Sequence, residues 1–278
     1  MVVALALVAA LISGSADYLG GRAAVRHNPL HVGLVSQLTN LMLLPIFAVG
    51  IGWQHLHNGD VLLGLLGGTG AGAAYIVFFR ALAGGRMSVV APLAALTTAL
   101  VPVTFDVLTG VSLSGGRWAG ITLALVAIPA LAFRHDDGVG ALSLHAEIAS
   151  AIVSGAGFAV YFMAIGHTST DSGQWPVVFA ALGGSVTVGM LCVVRRIPIV
   201  TRPPRLAVVA GVLMAAAALA INRALQLGPI AVATVLGSLY PLATTALANR
   251  FDREPVSRIN IVGIFLAVGG AALIAVSG

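Results

Sequence analysis

Four ionisable side chains stand inside otherwise apolar stretches of the sequence, namely Asp17, Arg80, Asp106 and Arg223. A charge among apolar residues within a bilayer costs roughly 3 kcal/mol on insertion scales, so each of the four needs a partner or a watery cavity. Asp17 and Arg80 stand at similar distances before the ends of their apolar stretches, and Asp106 and Arg223 do the same. This spacing gives one candidate acid–base pair at each mouth of a helix bundle, and one hypothesis is that the two pairs close as alternate gates. In the alternative, the arginines extend to lipid headgroups and the acids bond to helix ends.

A second role is open to Asp17, as a carboxylate that takes up and releases a coupling proton. No other apolar stretch carries a carboxylate near its centre. In a proton antiporter of cationic drugs, we expect the carboxylate that exchanges protons to lie deeper in its helix than Asp17 does. The sequence therefore favours a neutral or zwitterionic solute and leaves proton coupling open.

Prolines, hydroxyls and aromatic rings are the other groups that suit a binding site. A proline inside a helix frees a backbone carbonyl that can face a cavity, and the predicted helix-breaking positions are Pro92, Pro102 and Pro241. Polar and aromatic side chains on the same stretches are predicted to line a cavity for an amphipathic solute. These are Tyr18, Tyr75, Thr97, Thr98, Phe158, Tyr161, Asn222, Ser238 and Tyr240, with Gln37 and Asn40 as further candidates. For any one of them, ordinary packing is the alternative.

Groups for catalysis or metal binding do not come together in the sequence. Gly183-Gly184-Ser185 has the form of a nucleophile turn, but no histidine lies within an apolar stretch to act as its base. His55-x-His57 with Asp60 is the nearest approach to a metal motif. We therefore expect no enzyme activity, no cofactor and no metal. No ring of charge typical of a passive channel is present either.

Membrane-spanning helices must carry all of these groups. Of the 278 residues, 59% are hydrophobic and 8% are charged, whereas a soluble domain carries roughly 25% charged residues. Because about 20 apolar residues cross a bilayer as a helix, this length holds about ten spans and no sizeable soluble domain. Most soluble enzymes and nucleic-acid-binding proteins are thereby excluded. Helices are predicted over 2–21, 31–52, 60–83, 87–109, 116–133, 146–166, 175–195, 204–226, 229–250 and 257–277.

The two halves of the chain repeat each other. At an offset of 143 residues, 1–135 aligns with 144–278 without a gap, and Arg80-Ala81-Leu82 meets Arg223-Ala224-Leu225. Each half contains five spans, an odd number, so the second half is inverted in the membrane. Inverted repeats typically place a substrate site near the midplane, between two units that rock against each other. The predicted fold is an all-α integral membrane protein of ten transmembrane helices in two inverted five-helix repeats, and the predicted function is transport.

Several motifs point to one family: residues 14–18 (Gly-Ser-Ala-Asp-Tyr), 75–82, 85–92, 238–241 (Ser-Leu-Tyr-Pro) and 254–257 (Glu-Pro-Val-Ser) before Gly263. On these motifs, nearly the whole chain resembles the drug/metabolite transporter superfamily, specifically its ten-helix EamA-type branch. It departs from the pattern at Val111, where a glutamate would be expected. The resemblance implies an exporter or permease of small metabolites, often amino acids, working by alternating access. It also implies a central cavity lined by spans 1, 3, 4, 6, 8 and 9. A proton-coupled multidrug exporter of cationic compounds is the alternative, and an intramembrane enzyme is a more distant one.

The arginines are distributed unevenly between the two membrane faces. Only Arg117 and Arg223 fall on the face that holds the termini, and the other face holds twelve, namely Arg22, Arg26, Arg80, Arg86, Arg134, Arg195, Arg196, Arg202, Arg205, Arg250, Arg253 and Arg258. The positive-inside rule places the arginine-rich face in the cytoplasm and both termini outside, whereas the family resemblance implies termini inside. We expect a multi-pass protein of the cell (inner or plasma) membrane that functions as a monomer. Its expected partners are lipid and a small-molecule substrate, without nucleic acid.

Overall fold

The computed structural model describes residues 1–51, 55–84, 87–131, 143–197, 203–252 and 257–277. These residues form eleven α-helices and one short 3-10 helix at Thr170–Ser172. The first five helices are α1 (Val2–Arg26), α2 (Pro29–Ile51), α3 (Asn58–Gly84), α4 (Met87–Leu108) and α5 (Gly115–Leu131). The others are α6 (Leu144–Gly166), α7 (Trp175–Val194), α8 (Arg205–Leu227), α9 (Ile230–Gly237), α10 (Pro241–Asp252) and α11 (Arg258–Val276).

These helices account for the ten predicted spans. Eight candidate spans are long and apolar enough to cross a membrane, and Leu93–Leu108 within α4 is a shorter apolar helix. The tenth is α5, with 17 residues. Backbone polar groups have no water to bond to within a bilayer, so a spanning segment satisfies them internally as a helix. The predicted fold class of ten transmembrane helices in two inverted repeats is confirmed.

The ninth span differs from its prediction. The single helix expected over 229–250 is two helices, because α9 ends at Gly237 and a turn over residues 238–240 precedes Pro241 at the start of α10. Proline has no N–H to continue a helix, and it disfavours helical backbone at the residue before it. Pro92 and Pro102 lie within α4, which runs through both positions as the helix predicted over 87–109 does. Each proline removes one hydrogen bond there, and the rest of the helix continues past it.

Helix packing follows the repeat symmetry. The main partner of α1 is α8, and the main partners of its repeat mate α6 are α3 and α4. Two helices pack against their own mates across the molecule, α2 against α7 and α5 against α11. Most of these contacts therefore join one half of the chain to the other.

Small residues allow the close approach of α3 and α7. A side chain at Gly64, Gly68 or Gly72 would overlap Pro176, Ala180 or Gly184, respectively. Gly183 packs in the same interface, where a Cβ atom would lie 2.5 Å from the Leu65 carbonyl oxygen. In membranes, helices associate through such small-residue contacts. The glycines of the Gly183-Gly184-Ser185 motif therefore serve helix packing.

Candidate functional site

A cavity lies in the middle of the bundle, between the two halves. The cavity volume is about 130 Å³. Its walls come from α1, α2, α3 and α4 of the first half and from α6, α7, α8 and the α9–α10 turn of the second. The family resemblance implied α1, α3, α4, α6, α8 and the ninth span, so α2 and α7 are additional contributors.

Most of the predicted cavity residues do line this space. They are Tyr75, Thr98, Phe158, Tyr161, Ser238 and Tyr240, together with Asp17 from the predicted gate set. Gln37 and Asn40 of α2 line it as well, and so do three residues that the sequence did not single out, Ser13, Phe162 and Met214. None of the three lies beside a proline of the kind that drew attention to Thr98 and Ser238, so the sequence did not distinguish them from packing residues.

Three predicted residues have other surroundings. Tyr18 is buried beside α10, where its hydroxyl accepts a hydrogen bond from Arg22 Nη1 at 3.0 Å. Thr97 Oγ1 donates to the Leu93 carbonyl in its own helix at 2.8 Å. Asn222 Nδ2 donates to Gln174 Oε1 at 2.8 Å and to the Gly173 carbonyl at 3.0 Å. Asn222 therefore ties α8 to the segment that precedes α7.

Aromatic rings form part of the cavity wall. Tyr75 meets Phe158 edge-on with ring centroids 4.8 Å apart, and Phe158 also contacts Phe78 at 5.9 Å. Tyr161 and Phe162 pack edge-on at 5.7 Å. Such edge-to-face pairs hold each ring in a defined orientation. The wall thus offers an apolar surface at which tyrosine hydroxyls supply polar atoms.

Buried polar atoms in the cavity lack protein partners. Asn40 is 7% exposed and Ser238 is 1% exposed, and neither Asn40 Oδ1 nor Ser238 Oγ forms a hydrogen bond. Thr98, in contrast, donates to the Gly155 and Ala94 carbonyls from 3.1 and 2.8 Å. Because buried polar atoms in proteins are nearly always hydrogen-bonded, Asn40 and Ser238 are positioned to bind a solute or water.

The structure does not bring the two predicted acid–base pairs together. Arg80 is an exposed residue of α3, and Asp17 forms no ion pair within the described part of the chain. Arg223 is also exposed, and its Nη1 donates to Gln226 Oε1 at 3.3 Å. Asp106 instead accepts a hydrogen bond from the backbone N–H of Ala231 at 3.0 Å.

Asp106 stabilises the start of α9 from the opposite half of the chain. Its side chain is 5% exposed, and Ala231 lies in the first turn of α9. The first N–H groups of a helix have no partner within the helix, and a carboxylate there bonds to them and compensates the helix dipole. No side-chain cap comes from the N-cap residue Pro229 itself. Asp106 therefore acts as a cap supplied by α4.

A second set of hydrogen bonds joins the halves on the face that holds both termini, called here the terminal face. Asp60 Oδ2 accepts from Ser172 Oγ at 2.5 Å and from the Ser169 N–H at 3.1 Å. The backbone N–H of His55 donates to the Asp171 carbonyl at 3.2 Å. We call these three bonds the terminal-face cluster. The sequence had placed Asp60 beside a metal motif, and no group of metal-binding side chains occurs among the described residues.

The architecture and its central cavity define a class of protein, the polytopic membrane transporters built from two repeats. The chain belongs to the EamA-like transporter family, whose model matches residues 1–132 and 145–276. The resemblance to the drug/metabolite transporter superfamily is thereby confirmed. One solved crystal structure is similar in fold, with 18% sequence identity, a TM-score of 0.76, and coverage of 98% of this chain and 96% of the other. No curated protein matches this chain.

Some of the sequence motifs lie outside the described residues, among them Gly85-Arg86 and Glu254-Pro255-Val256. Val111, the position that departs from the family pattern, is exposed in the connector between α4 and α5. Its backbone N–H donates to the Asp106 carbonyl oxygen at 2.9 Å. That connector is thus tied to the helix end that carries the cap of α9.

Proposed function

We propose that this protein is a secondary transporter, an exporter or permease of small neutral or zwitterionic metabolites such as amino acids, working by alternating access. The observation that carries the proposal is the cavity between the halves, with its aromatic wall and its unpartnered Asn40 and Ser238 atoms. In repeat-built transporters, substrate binds at such a midplane site. One chain supplies both repeats, which supports a functional monomer in the cell (inner or plasma) membrane.

A proton-coupled exporter of cationic compounds is the second candidate. It is favoured by Asp17, which is the charged side chain among the described residues lining the cavity. An acid in an apolar cavity can exchange a proton for a cationic solute. The two candidates differ in whether a pH gradient drives flux and in whether unrelated cations compete.

The first proposal is tested by uptake and counterflow of radiolabelled neutral amino acids in proteoliposomes, measured with and without a pH gradient. We expect saturable exchange. Phe158→Ala is expected to lower it roughly ten- to a hundredfold, because a phenylalanine side chain that a bound solute covers contributes about 1.5–3 kcal/mol of apolar contact. Phe265→Ala is the matched control, since Phe265 is 74% exposed on α11, away from the cavity. Absence of flux for every amino acid, from folded protein, would contradict this proposal and lead to a screen of lipophilic cations.

The terminal-face cluster supports the alternating-access part of the proposal. Its bonds run between residues 55–60 of the first half and 169–172 of the second. Residues 169–172 lead into α7, whose Val177, Ala180 and Ala181 line the cavity. We infer that the cluster keeps the terminal face closed. Opening a path to the cavity on that face then requires these bonds to break together with the bond from Asp106 to Ala231.

Removing the Ser172 hydroxyl is expected to increase opening of the terminal face. Ser172→Ala deletes one bond to a buried carboxylate, and a hydrogen bond to a charged group contributes about 1.5–3 kcal/mol. Measured in a Cys192→Ser background, the labelling rate of Val177→Cys by an impermeant maleimide should rise about tenfold. Ser169→Ala is the control, because the Ser169 hydroxyl accepts only a local bond from the Asp171 N–H at 3.2 Å. Equal labelling rates in Ser172→Ala and Ser169→Ala would show that the cluster does not restrict access.

A further inference from the structure

The charge of the cavity is one-sided. Asp17 of α1 is acidic, and no arginine, lysine or histidine is found among the described residues that line the space. A solute carboxylate would meet no positive side chain there, whereas a solute ammonium group would meet a carboxylate. In a site of low dielectric constant, such a charge-assisted hydrogen bond is strong. The charges thus favour a cationic group on the solute.

The neutral polar groups of the cavity supply further hydrogen-bond acceptors. Asn40 Oδ1, on α2, is buried without a partner. Gly237 lines the cavity at the end of α9, and the residue four positions later is Pro241, which has no N–H to donate to the Gly237 carbonyl. An ammonium group has three N–H donors and no acceptor. Asp17 and Asn40 thus bring acceptor oxygens to the cavity wall, and the Gly237 carbonyl at the same wall lacks its usual helical donor.

The aromatic side chains add to the same preference. Tyr75 and Tyr240 line the same cavity as Asp17. Tyrosine faces attract cations, an effect that grows when water is excluded. The Tyr75–Phe158 pair, at 4.8 Å, provides an apolar surface for the rest of the solute. The cavity volume is about 130 Å³, and a water molecule needs roughly 10–15 Å³ of such volume. The cavity therefore suits a solute of on the order of ten non-hydrogen atoms.

We propose that Asp17, Asn40 and the Gly237 carbonyl form a subsite for a protonated primary amine, and that this amine, rather than a carboxylate, is the group the cavity requires in its solute. Zwitterionic amino acids then bind through their ammonium groups, and the substrate class extends from them to small cationic amines with an apolar or aromatic body. This inference rests on the proposed transport function, whose substrate class it specifies.

Four probes separate the amine from the carboxylate in a binding assay. Isothermal titration of the purified protein in lipid nanodiscs is made with 2-phenylethylamine, L-phenylalanine, N-acetyl-2-phenylethylamine and 3-phenylpropanoate. The first two carry an ammonium group, the third has lost its charge, and the fourth carries only a carboxylate. We expect the first two to bind, and the other two to bind at least tenfold more weakly.

Variants then locate the subsite. Asp17→Asn is expected to raise the Kd of 2-phenylethylamine at least tenfold, and Asn40→Ala to raise it about tenfold. Asp171→Asn serves as the control, because Asp171 is an exposed acid of the terminal face outside the cavity. Elution of each variant as a monodisperse peak establishes folding, and Asn40→Ala tests the subsite separately if Asp17→Asn is misfolded.

The outcomes separate this proposal from the transport proposal. Binding of N-acetyl-2-phenylethylamine as tight as that of the amine, or an unchanged Kd in both Asp17→Asn and Asn40→Ala, would overturn the amine subsite even if amino-acid exchange is observed. Amine binding that depends on Asp17, in a protein that exchanges none of these solutes across proteoliposomes, would leave the subsite standing and contradict transport.

Discussion

Replacing Gly68 by leucine is expected to prevent the protein from accumulating in its folded form. A Cβ atom at this position would overlap the backbone carbonyl of Ala180 on α7, and backbone cannot rotate out of the way as a side chain can. Overpacking of a tight interface costs about 1–3 kcal/mol even where side chains give way, so a loss of about 3 kcal/mol or more is expected. Yield and peak shape in fluorescence-detected size-exclusion chromatography measure the effect.

Gly59→Leu is the matched control for that experiment. Gly59 lies in the first turn of the same helix, and an added Cβ atom there has no neighbour within 4 Å. The two variants therefore add the same side chain to α3 and differ in what it meets. Near-normal yield of Gly68→Leu would mean that α3 and α7 do not approach as closely as described.

Replacing Asp106 by alanine is expected to destabilise the protein by about 1.5–3 kcal/mol, the contribution of a hydrogen bond to a charged group. The change leaves the buried Ala231 N–H without its acceptor, removes the only cap described for α9, and breaks a contact between the halves. Thermal unfolding in nanodiscs measures the loss. The same change should raise access from the terminal face, since α9 begins there.

Asp106→Asn distinguishes the hydrogen bond from the charge. An asparagine keeps a side-chain oxygen that can accept from Ala231, so we expect it to retain most of the lost stability. Asp171→Ala controls for removal of an acid as such, because Asp171 is exposed and outside the contact. Equal unfolding temperatures for wild type and Asp106→Ala would show that the Asp106 cap does not stabilise the protein.

Hydropathy and the repeat together predicted the number of membrane spans, their approximate bounds and the inversion of the second half. These features depend on averages over about twenty residues, so single errors matter little. The behaviour of single prolines could not be predicted in the same way. Pro102 lies within a continuous helix and Pro241 begins a new one, although both stand in long apolar stretches.

The acid–base pairs suggested by the sequence are not found in the structure, for a geometric reason. Distance from a helix end gives the depth of a residue in the membrane, but successive residues turn by about 100° around the axis, so depth does not say which way a side chain points. Arg80 and Arg223 are both exposed. The partner of Asp106 is a backbone N–H, which every residue except proline possesses, and no residue type indicates it. The hydrogen bond between Asp60 and Ser172 could not be predicted either, because the two residues are 112 positions apart in the sequence.

The helix pairing described above has a consequence for biosynthesis. Helix α1 packs mainly against α8, α5 against α11, and α3 against α6 and α7. Most helices of the first repeat therefore enter the bilayer before their main packing partners have been translated. The two repeats are similar in sequence, yet most of the helix packing of each repeat is with the other. The α5–α11 pair, with the bond from Asn260 Nδ2 to the Ala130 carbonyl at 3.0 Å, can form only after α11 has been translated, more than 120 residues after α5.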